Sequence, residues 1–206
     1  FCALGFQTTR SEFAEKLARA EPGDIGWTNE VVWALKDQGS TLMTKGYLNE
    51  AAQAFEHAYE FSQWATDQLP DDLGLMRNRE VIQNMLGQIA YSQANYRQAL
   101  DAHTAALEIA EKLLETDPTL VLYQKDLSYT HERLGDTWFA LGEHDKARDA
   151  FDISLMMTQD LANEFPEDTE LQNNLAVGLE RLAAMMETEG DNDSALAIFG
   201  EALKIR

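Results

Sequence analysis

The four prolines of the chain stand at equal intervals. Each is 48 residues after the one before it, at Pro22, Pro70, Pro118 and Pro166. Proline ends helices and begins turns, because its ring fixes φ and its nitrogen carries no hydrogen. A constant interval between the only prolines predicts a chain built from equal units of 48 residues.

Other residue types keep the same register. Small residues recur at Gly39, Gly87, Gly135 and Ala183, at Gly46, Ala94, Gly142 and Gly190, at Ala51, Ala99, Ala147 and Ala195, and at Ala58, Ala106, Ser154 and Ala202. An aromatic slot holds Phe55, Phe151 and Phe199, with His103 in the second unit, and a large apolar slot holds Trp27, Leu75, Tyr123 and Leu171.

Each unit reads as two helices, which we call A and B. Apolar residues at helical spacing run from Tyr123 to Leu141 and again from about Lys146 to Asn163, with a turn at Gly142–Asp145 between them. Gly135 and Ala147 let the two helices approach closely, and Phe151 is expected to fill the space beside them. Close packing explains all these slots without any catalytic chemistry.

Composition excludes several classes of protein. Hydrophobic residues make up 45% of the 206 residues, too many for a disordered acidic tail. The single cysteine, Cys2, excludes an internal disulfide framework and a zinc site with several cysteines. No apolar window of about 18 residues predicts a membrane span. The apolar opening, residues 1–6, is expected to be part of a helix that the start of the chain interrupts, with the stump of a removed membrane segment as the alternative.

The chain is strongly acidic, with a formal net charge of −20. Lys and Arg form no cluster of the kind that binds nucleic acid phosphates, so nucleic acid is not an expected partner. The charge is uneven: residues 1–100 carry −5 and residues 101–206 carry −15. The acidic half is either a solvated surface or a region that attracts a basic partner.

Motifs for catalysis and for metal binding are missing. The sequence has no glycine-rich phosphate loop, and His131-Glu132 begins like a zinc motif but has Gly135 where the second histidine should stand. We therefore predict no catalytic residue, no metal ligand and no cofactor. His103 is read as an imidazole that replaces phenylalanine, with a pH-sensitive weak point in the fold as the alternative.

The repeated slots resemble the tetratricopeptide repeat (TPR). The third unit supplies that family's pattern with Gly135, Trp138, Gly142, Ala147, Phe151 and Ser154. The usual period is about 34 residues, so the chain resembles a long-helix bacterial variant. The resemblance implies an all-α fold, a right-handed α-solenoid of about nine helices in antiparallel hairpins. It divides one solenoid, 1–206, into a partial helix B (1–21) and four repeats, 22–69, 70–117, 118–165 and 166–206, the last of them truncated.

The family's A helices line a concave groove, and the resemblance places ten residues there. They are Trp33, Lys36, Asn84, Gln88, Tyr91, Tyr129, Glu132, Asp136, Phe139 and Glu180. Aromatic side chains that alternate with amides and acids suit an extended peptide or a helix. The alternative for Trp33 and Phe139 is packing between neighbouring A helices.

These features together predict a non-catalytic protein-interaction scaffold whose partner is a protein or peptide, basic or amphipathic. The first alternative is a regulatory segment of a larger multidomain bacterial enzyme or signalling protein. The second is end-to-end association of identical chains through uncapped apolar ends. A cytoplasmic location is favoured, with a membrane-tethered parent protein as the alternative.

Overall fold

The fold is an all-α helical-repeat solenoid. The computed structural model describes the backbone of residues 2–206 and the side chains of residues 11–206. Within this range the chain forms nine α-helices and no strand. They are α1 (Cys2–Ala20), α2 (Ile25–Thr44), α3 (Leu48–Gln68), α4 (Leu73–Ser92), α5 (Tyr96–Thr116), α6 (Val121–Ala140), α7 (His144–Glu164), α8 (Thr169–Thr188) and α9 (Asn192–Ile205). Of the apolar opening, residues 1–6, Phe1 lies outside the described residues, and Cys2 begins α1.

The helices fall into two compact units, Phe1–Ile109 and Ala110–Arg206, whose boundary lies inside α5. In the first unit α2 packs against α1, α3 and α4. In the second unit α7 packs against α6 and α8, and α8 packs against α9. The even-numbered helices α2, α4, α6 and α8 are the A helices, and α3, α5, α7 and α9 are the B helices.

Aspartate begins three of the four A helices. The Asp24 Oδ1 accepts a hydrogen bond from the Gly26 nitrogen at 2.8 Å, and the Asp72 Oδ1 accepts one from the Leu75 nitrogen at 2.8 Å. Asp168 caps α8 in the same way, at 2.9 Å from the Glu170 nitrogen. Such a cap satisfies a backbone donor that the first turn of a helix leaves without a partner. Leu120 takes this slot before α6 and supplies no side-chain cap.

The glycine slot of the first three repeats lies under the aromatic ring of the same hairpin. A Cβ atom built on Gly39 would lie 2.8 Å from the Phe55 ring, and one built on Gly135 would lie 2.5 Å from the Phe151 ring. The imidazole of His103 fills the same place over Gly87, at 2.5 Å. Helices A and B therefore approach so closely that only glycine fits beneath the ring.

The turn between helices A and B needs a left-handed residue. Gly46, Gly142 and Gly190 have φ values of +81°, +79° and +88°. Ala94 occupies the same slot in the second repeat with a φ of 60°. This conformation costs an L-residue about 1–2 kcal/mol, whereas glycine adopts it freely.

Replacing Ala94 with glycine is therefore expected to stabilise the protein. The relief of native-state strain is partly offset because glycine has more freedom in the unfolded chain. We expect a net increase of about 1 kcal/mol in the free energy of unfolding, measured by urea denaturation. The opposite change at the matched position, Gly142→Ala, should destabilise the protein. If Ala94→Gly has no effect or destabilises, strain at this turn is not significant.

Candidate interaction surface on the A helices

The first unit exposes a tryptophan in the middle of helix α2. Trp33 is 56% exposed, whereas its neighbours Val32 and Ala34 are buried. Beside it, the Lys36 Nζ donates a hydrogen bond to the Asn78 Oδ1 of α4 at 2.9 Å. Lys36 thus lies where α2 meets α4, and the exposed indole ring lies on the same helix one turn earlier.

Asn84 is placed in the core rather than on an accessible face. It is 1% exposed, as are Glu80 and His103. Its Nδ2 donates to the Glu80 Oε1 at 2.5 Å, and its Oδ1 faces the His103 Nδ1 at 3.0 Å. The sequence placed Asn84 in the groove, but the buried side chain is held between α4 and α5 and does not face solvent. The reading of His103 as a replacement for phenylalanine agrees with its place over Gly87.

Tyr91 and Phe139 form equivalent contacts at the turns after α4 and α6. Tyr91 packs edge-on against Tyr96, with ring centroids 5.3 Å apart, and Phe139 packs edge-on against His144 at 5.2 Å. Both pairs have a spacing of five residues, and they are one repeat apart. These aromatics hold the A and B helices together, although Tyr91 remains 36% exposed. Gln88, one turn before Tyr91, is half-buried.

In the second unit the predicted acidic residues are paired with arginines. Arg181 of α8 makes a two-point contact with Asp136 of α6, with Nε 2.9 Å from Oδ1 and Nη2 3.2 Å from Oδ2. Arg133 contacts Glu132 and lies 3.4 Å from Asp136. At the end of the chain Arg206 lies 3.0 Å from Glu180. The face of α6 and α8 is therefore charge-balanced at these residues and does not present free carboxylates.

Tyr129 lies beside this ionic cluster. The guanidinium carbon of Arg133 is 5.0 Å from the centre of the Tyr129 ring, within the range of a cation–π contact. Burial by itself lowers the pKa of Arg133, but the carboxylates of Glu132 and Asp136 outweigh it, so this pKa lies above its ordinary value. The guanidinium therefore stays charged and fixes the position of the ring.

Arg133 and Arg181 are the residues that sequence reasoning missed. A usable signal exists, because Asp136 and Arg181 are 45 residues apart. The pair Lys125 and Glu170, whose Nζ and Oε2 atoms are 2.8 Å apart, has the same separation. A separation of 45 residues, three fewer than the repeat, thus connects facing positions on neighbouring A helices. A search of the sequence for opposite charges 45 residues apart finds both pairs.

Features that would indicate other functions are not found in the described part of the chain. No group of three or more His, Cys, Asp or Glu side chains from residues 11–206 is placed to hold a metal ion. No described helix is both long and apolar enough to cross a membrane. His131, at the start of the incomplete zinc motif, is partly buried, and this burial lowers its pKa.

Comparisons with known proteins agree with this architecture. Residues 81–119 match the tetratricopeptide-repeat family, and no curated protein sequence matches the chain significantly. BtubC (BKLC) from P. vanneervenii is similar in structure, with a TM-score of 0.56 and 17% identity, covering 98% of this chain and 89% of that one.

Two further solved structures share the fold. The apo form of RapI has a TM-score of 0.57 and 13% identity, and the match covers 95% of this chain and 53% of RapI. A variant of a putative kinesin light chain from Podosopora anserina, which has nearly identical TPR-like repeats, has a TM-score of 0.51 and 16% identity, with 95% and 94% coverage. Residues 81–119 thus match the tetratricopeptide repeat, and the chain as a whole has an all-α helical-repeat fold similar to these solved structures.

Proposed function

We propose that this chain is a non-catalytic protein-interaction module that binds a peptide or helical segment of another protein on the exposed face of α2 and α4. The exposure of Trp33 carries the proposal. A tryptophan that is 56% exposed in the middle of a regular helix contributes little to the core. Tryptophan is also among the residues that contribute most to binding energy at protein interfaces.

The surroundings of Trp33 fit a peptide better than a small molecule. The neighbouring polar groups, Lys36 and Asn78, already hydrogen-bond to each other and form a rim rather than an enclosed polar site. Farther along α4, Gln88 is half-buried and Tyr91 is 36% exposed. An extended or helical segment can contact such an open face along its length.

The charge of the chain favours a basic or amphipathic partner. With a net charge of −20, the protein attracts positively charged segments at long range and repels acidic ones. This contribution acts mainly on the association rate and weakens with salt. The aromatic contact is expected to determine how long the complex lasts.

The test uses peptides selected by phage display against the full chain. We expect Trp33→Ala to weaken the binding of the selected peptides by about 30-fold, equivalent to about 2 kcal/mol. Tyr47→Ala is the matched control, because Tyr47 is also an exposed aromatic residue, at 53%, but lies at the turn after α2. Isothermal titration calorimetry measures both variants, and circular dichroism checks that they are folded. Equal loss in the two variants, or no loss in Trp33→Ala, would contradict the proposed surface.

Self-association is a second candidate function, favoured by the exposed face of α9. Leu196 is 74% exposed and Leu203 is 76% exposed. In the preceding repeat the slot of Leu203 holds Leu155, which packs against the core and lies 3.3 Å from the Cβ position of Gly178 in α8. Leu203 is therefore a candidate for contact with a second copy of the chain. A mass that depends on concentration, measured by sedimentation equilibrium on the full chain, would separate this function from binding to another protein.

A further inference from the structure

A groove of about 270 Å³ lies between the B helices of the second unit. It is lined by the end of α5, the start of α6 and the second half of α7. Leu114 of α5 and Met157 of α7 are half-buried there, and Leu161 is buried, so much of the lining is apolar. The lining residues belong to Ala110–Arg206, so the groove is formed within one compact unit.

Two exposed carboxylates line the same groove. Asp160 and Glu164 are four residues apart on α7, which places them on one face of the helix. Among residues 11–206, no basic side chain forms an ion pair with either of them. Like charges at this spacing repel each other. A cation bound between the two carboxylates would remove that repulsion.

The equivalent place in the first unit is filled by an arginine. Arg19 of α1, the partial B helix, lies over two rings of α3. Its guanidinium carbon is 4.9 Å from the centre of the Trp64 ring and 5.6 Å from that of the Phe61 ring. Its Nε donates a hydrogen bond to the Glu15 Oε1 at 2.9 Å. The fold therefore accommodates a guanidinium between neighbouring B helices.

Two repeats later the arginine of this arrangement is replaced. By the register of 48 residues, the positions of Arg19, Phe61 and Trp64 correspond to Glu115, Met157 and Asp160. A thioether and a carboxylate thus stand where the first unit has its two rings, and a glutamate stands where it has its guanidinium. The groove of the second unit therefore keeps an apolar lining but carries negative charge in place of its own cation.

Charge complementarity determines what such a groove can bind. Residues 101–206 carry a net charge of −15, so a cationic group is attracted to this unit. A guanidinium can donate to two carboxylates at once, and its flat face packs on apolar groups better than an ammonium does. The methylene stem of an arginine can lie along Leu114 and Met157 while its charged end stays near water. An arginine side chain thus matches both the apolar and the acidic part of the lining.

We propose that the groove between α5 and α7 binds an arginine side chain of a partner protein, with its guanidinium between Asp160 and Glu164 and its stem on Leu114 and Met157. This site goes beyond the proposed function, because it lies in the second unit and is formed mainly by B helices. It does not depend on the Trp33 surface of the first unit.

The direct probe is a set of capped tripeptides added to the full chain. Acetyl-Ala-Arg-Ala-amide carries the guanidinium, the citrulline peptide is its neutral match, and the lysine peptide has the same charge. Methyl signals of ¹³C-labelled methionine are followed in ¹H–¹³C spectra, with the Met157 signal assigned by Met157→Leu. We expect a saturable shift of this signal with the arginine peptide, at least roughly 10-fold weaker binding of the citrulline peptide, and weaker binding of the lysine peptide.

Removal of the two carboxylates separates the groove from general electrostatic attraction. We expect the double variant Asp160→Asn, Glu164→Gln to bind the arginine peptide at least roughly 10-fold more weakly. The double variant Asp145→Asn, Asp149→Asn is the matched control. These two exposed carboxylates are also four residues apart on α7 but do not line the groove, so binding should change little. Circular dichroism checks that both variants are folded.

A further variant returns an arginine to the position that it has in the first unit. The new side chain of Glu115→Arg should enter the groove, and because it is attached to the protein it should compete strongly with the peptide. We expect the saturable shift of Met157 to be lost. Glu201→Arg, on α9, makes the same change of charge away from the groove and should keep the shift.

Four results would overturn the inference. They are equal binding of the arginine and citrulline peptides, equal binding of the arginine and lysine peptides, a shift that never saturates, and equal effects of a variant and its matched control. The Met157 signal reports on the second unit, whereas the Trp33 experiment concerns the first. A failure at the groove therefore leaves the proposed function standing, and the groove can bind arginine even if the Trp33 surface fails.

Discussion

Replacing Phe55 with alanine is expected to lower the free energy of unfolding by about 3–5 kcal/mol. Phe55 is fully buried in the cluster that contains Val31, Leu35 and Phe61. Its ring also covers Gly39, so the truncation leaves a cavity between α2 and α3 beside that glycine. Urea denaturation of the full chain, followed by circular dichroism, measures the loss.

The pairing of Phe55 with Gly39 provides a sharper test than the single variant. Gly39→Ala places a Cβ atom 2.8 Å from the Phe55 ring, and overpacking of this kind costs about 1–3 kcal/mol. In Phe55→Ala the ring is gone, so adding Gly39→Ala should cost nothing or regain stability. Met156→Ala serves as the control, because Met156 is 61% exposed and should change stability by less than about 0.5 kcal/mol. Additive effects of the Gly39 and Phe55 changes would show that the two do not pack against each other.

Replacing Asn84 with leucine should destabilise the protein by about 2–4 kcal/mol. The amide donates to Glu80 and faces His103, and all three residues are 1% exposed. Leucine removes both hydrogen bonds and leaves a buried acceptor and a buried donor to be satisfied, at about 1–3 kcal/mol each. Denaturation by urea measures the change.

The first repeat suggests how this loss can be reversed. Its residues at the slots of Glu80 and His103 are Val32 and Phe55, both fully buried. Glu80→Val, Asn84→Leu and His103→Phe together replace the polar network by apolar groups of similar shape, which is often neutral or stabilising. We expect the triple variant to recover most of the lost stability. A triple variant that is less stable than Asn84→Leu would show that the network does more than satisfy its own buried atoms.

The fold was accessible from sequence because packing repeats a simple rule. Gly39, Gly87 and Gly135 each lie under the ring of their own hairpin, and the turn slot holds a left-handed residue in every repeat. These requirements are local and steric, so they leave a periodic trace. The start of α7 differs slightly from expectation: it begins at His144 rather than at about Lys146. The ring of His144 packs there against Phe139.

The candidate surface was less accessible, because periodic position does not determine what a side chain contacts. The repeat register places Asn84 at a groove position, but its side chain hydrogen-bonds with Glu80 and His103 in the core. The repeat register of Glu132 and Asp136 predicts carboxylates that face the groove. In the structure, the arginine side chains of α6 and α8 pair with them. These interactions join residues whose types vary from repeat to repeat, so no recurring pattern predicts them. Only the separation of 45 residues between charged partners leaves a signal.

The most direct measurement of the proposed function is hydrogen–deuterium exchange of the full chain with and without a selected peptide. We expect slower amide exchange in the segments of α2 and α4 around Trp33. The amides of α3 should change little. The Trp33→Ala variant should lose this protection at the same peptide concentration. Protection confined to α3, or protection that the variant keeps, would contradict binding on the face of the A helices.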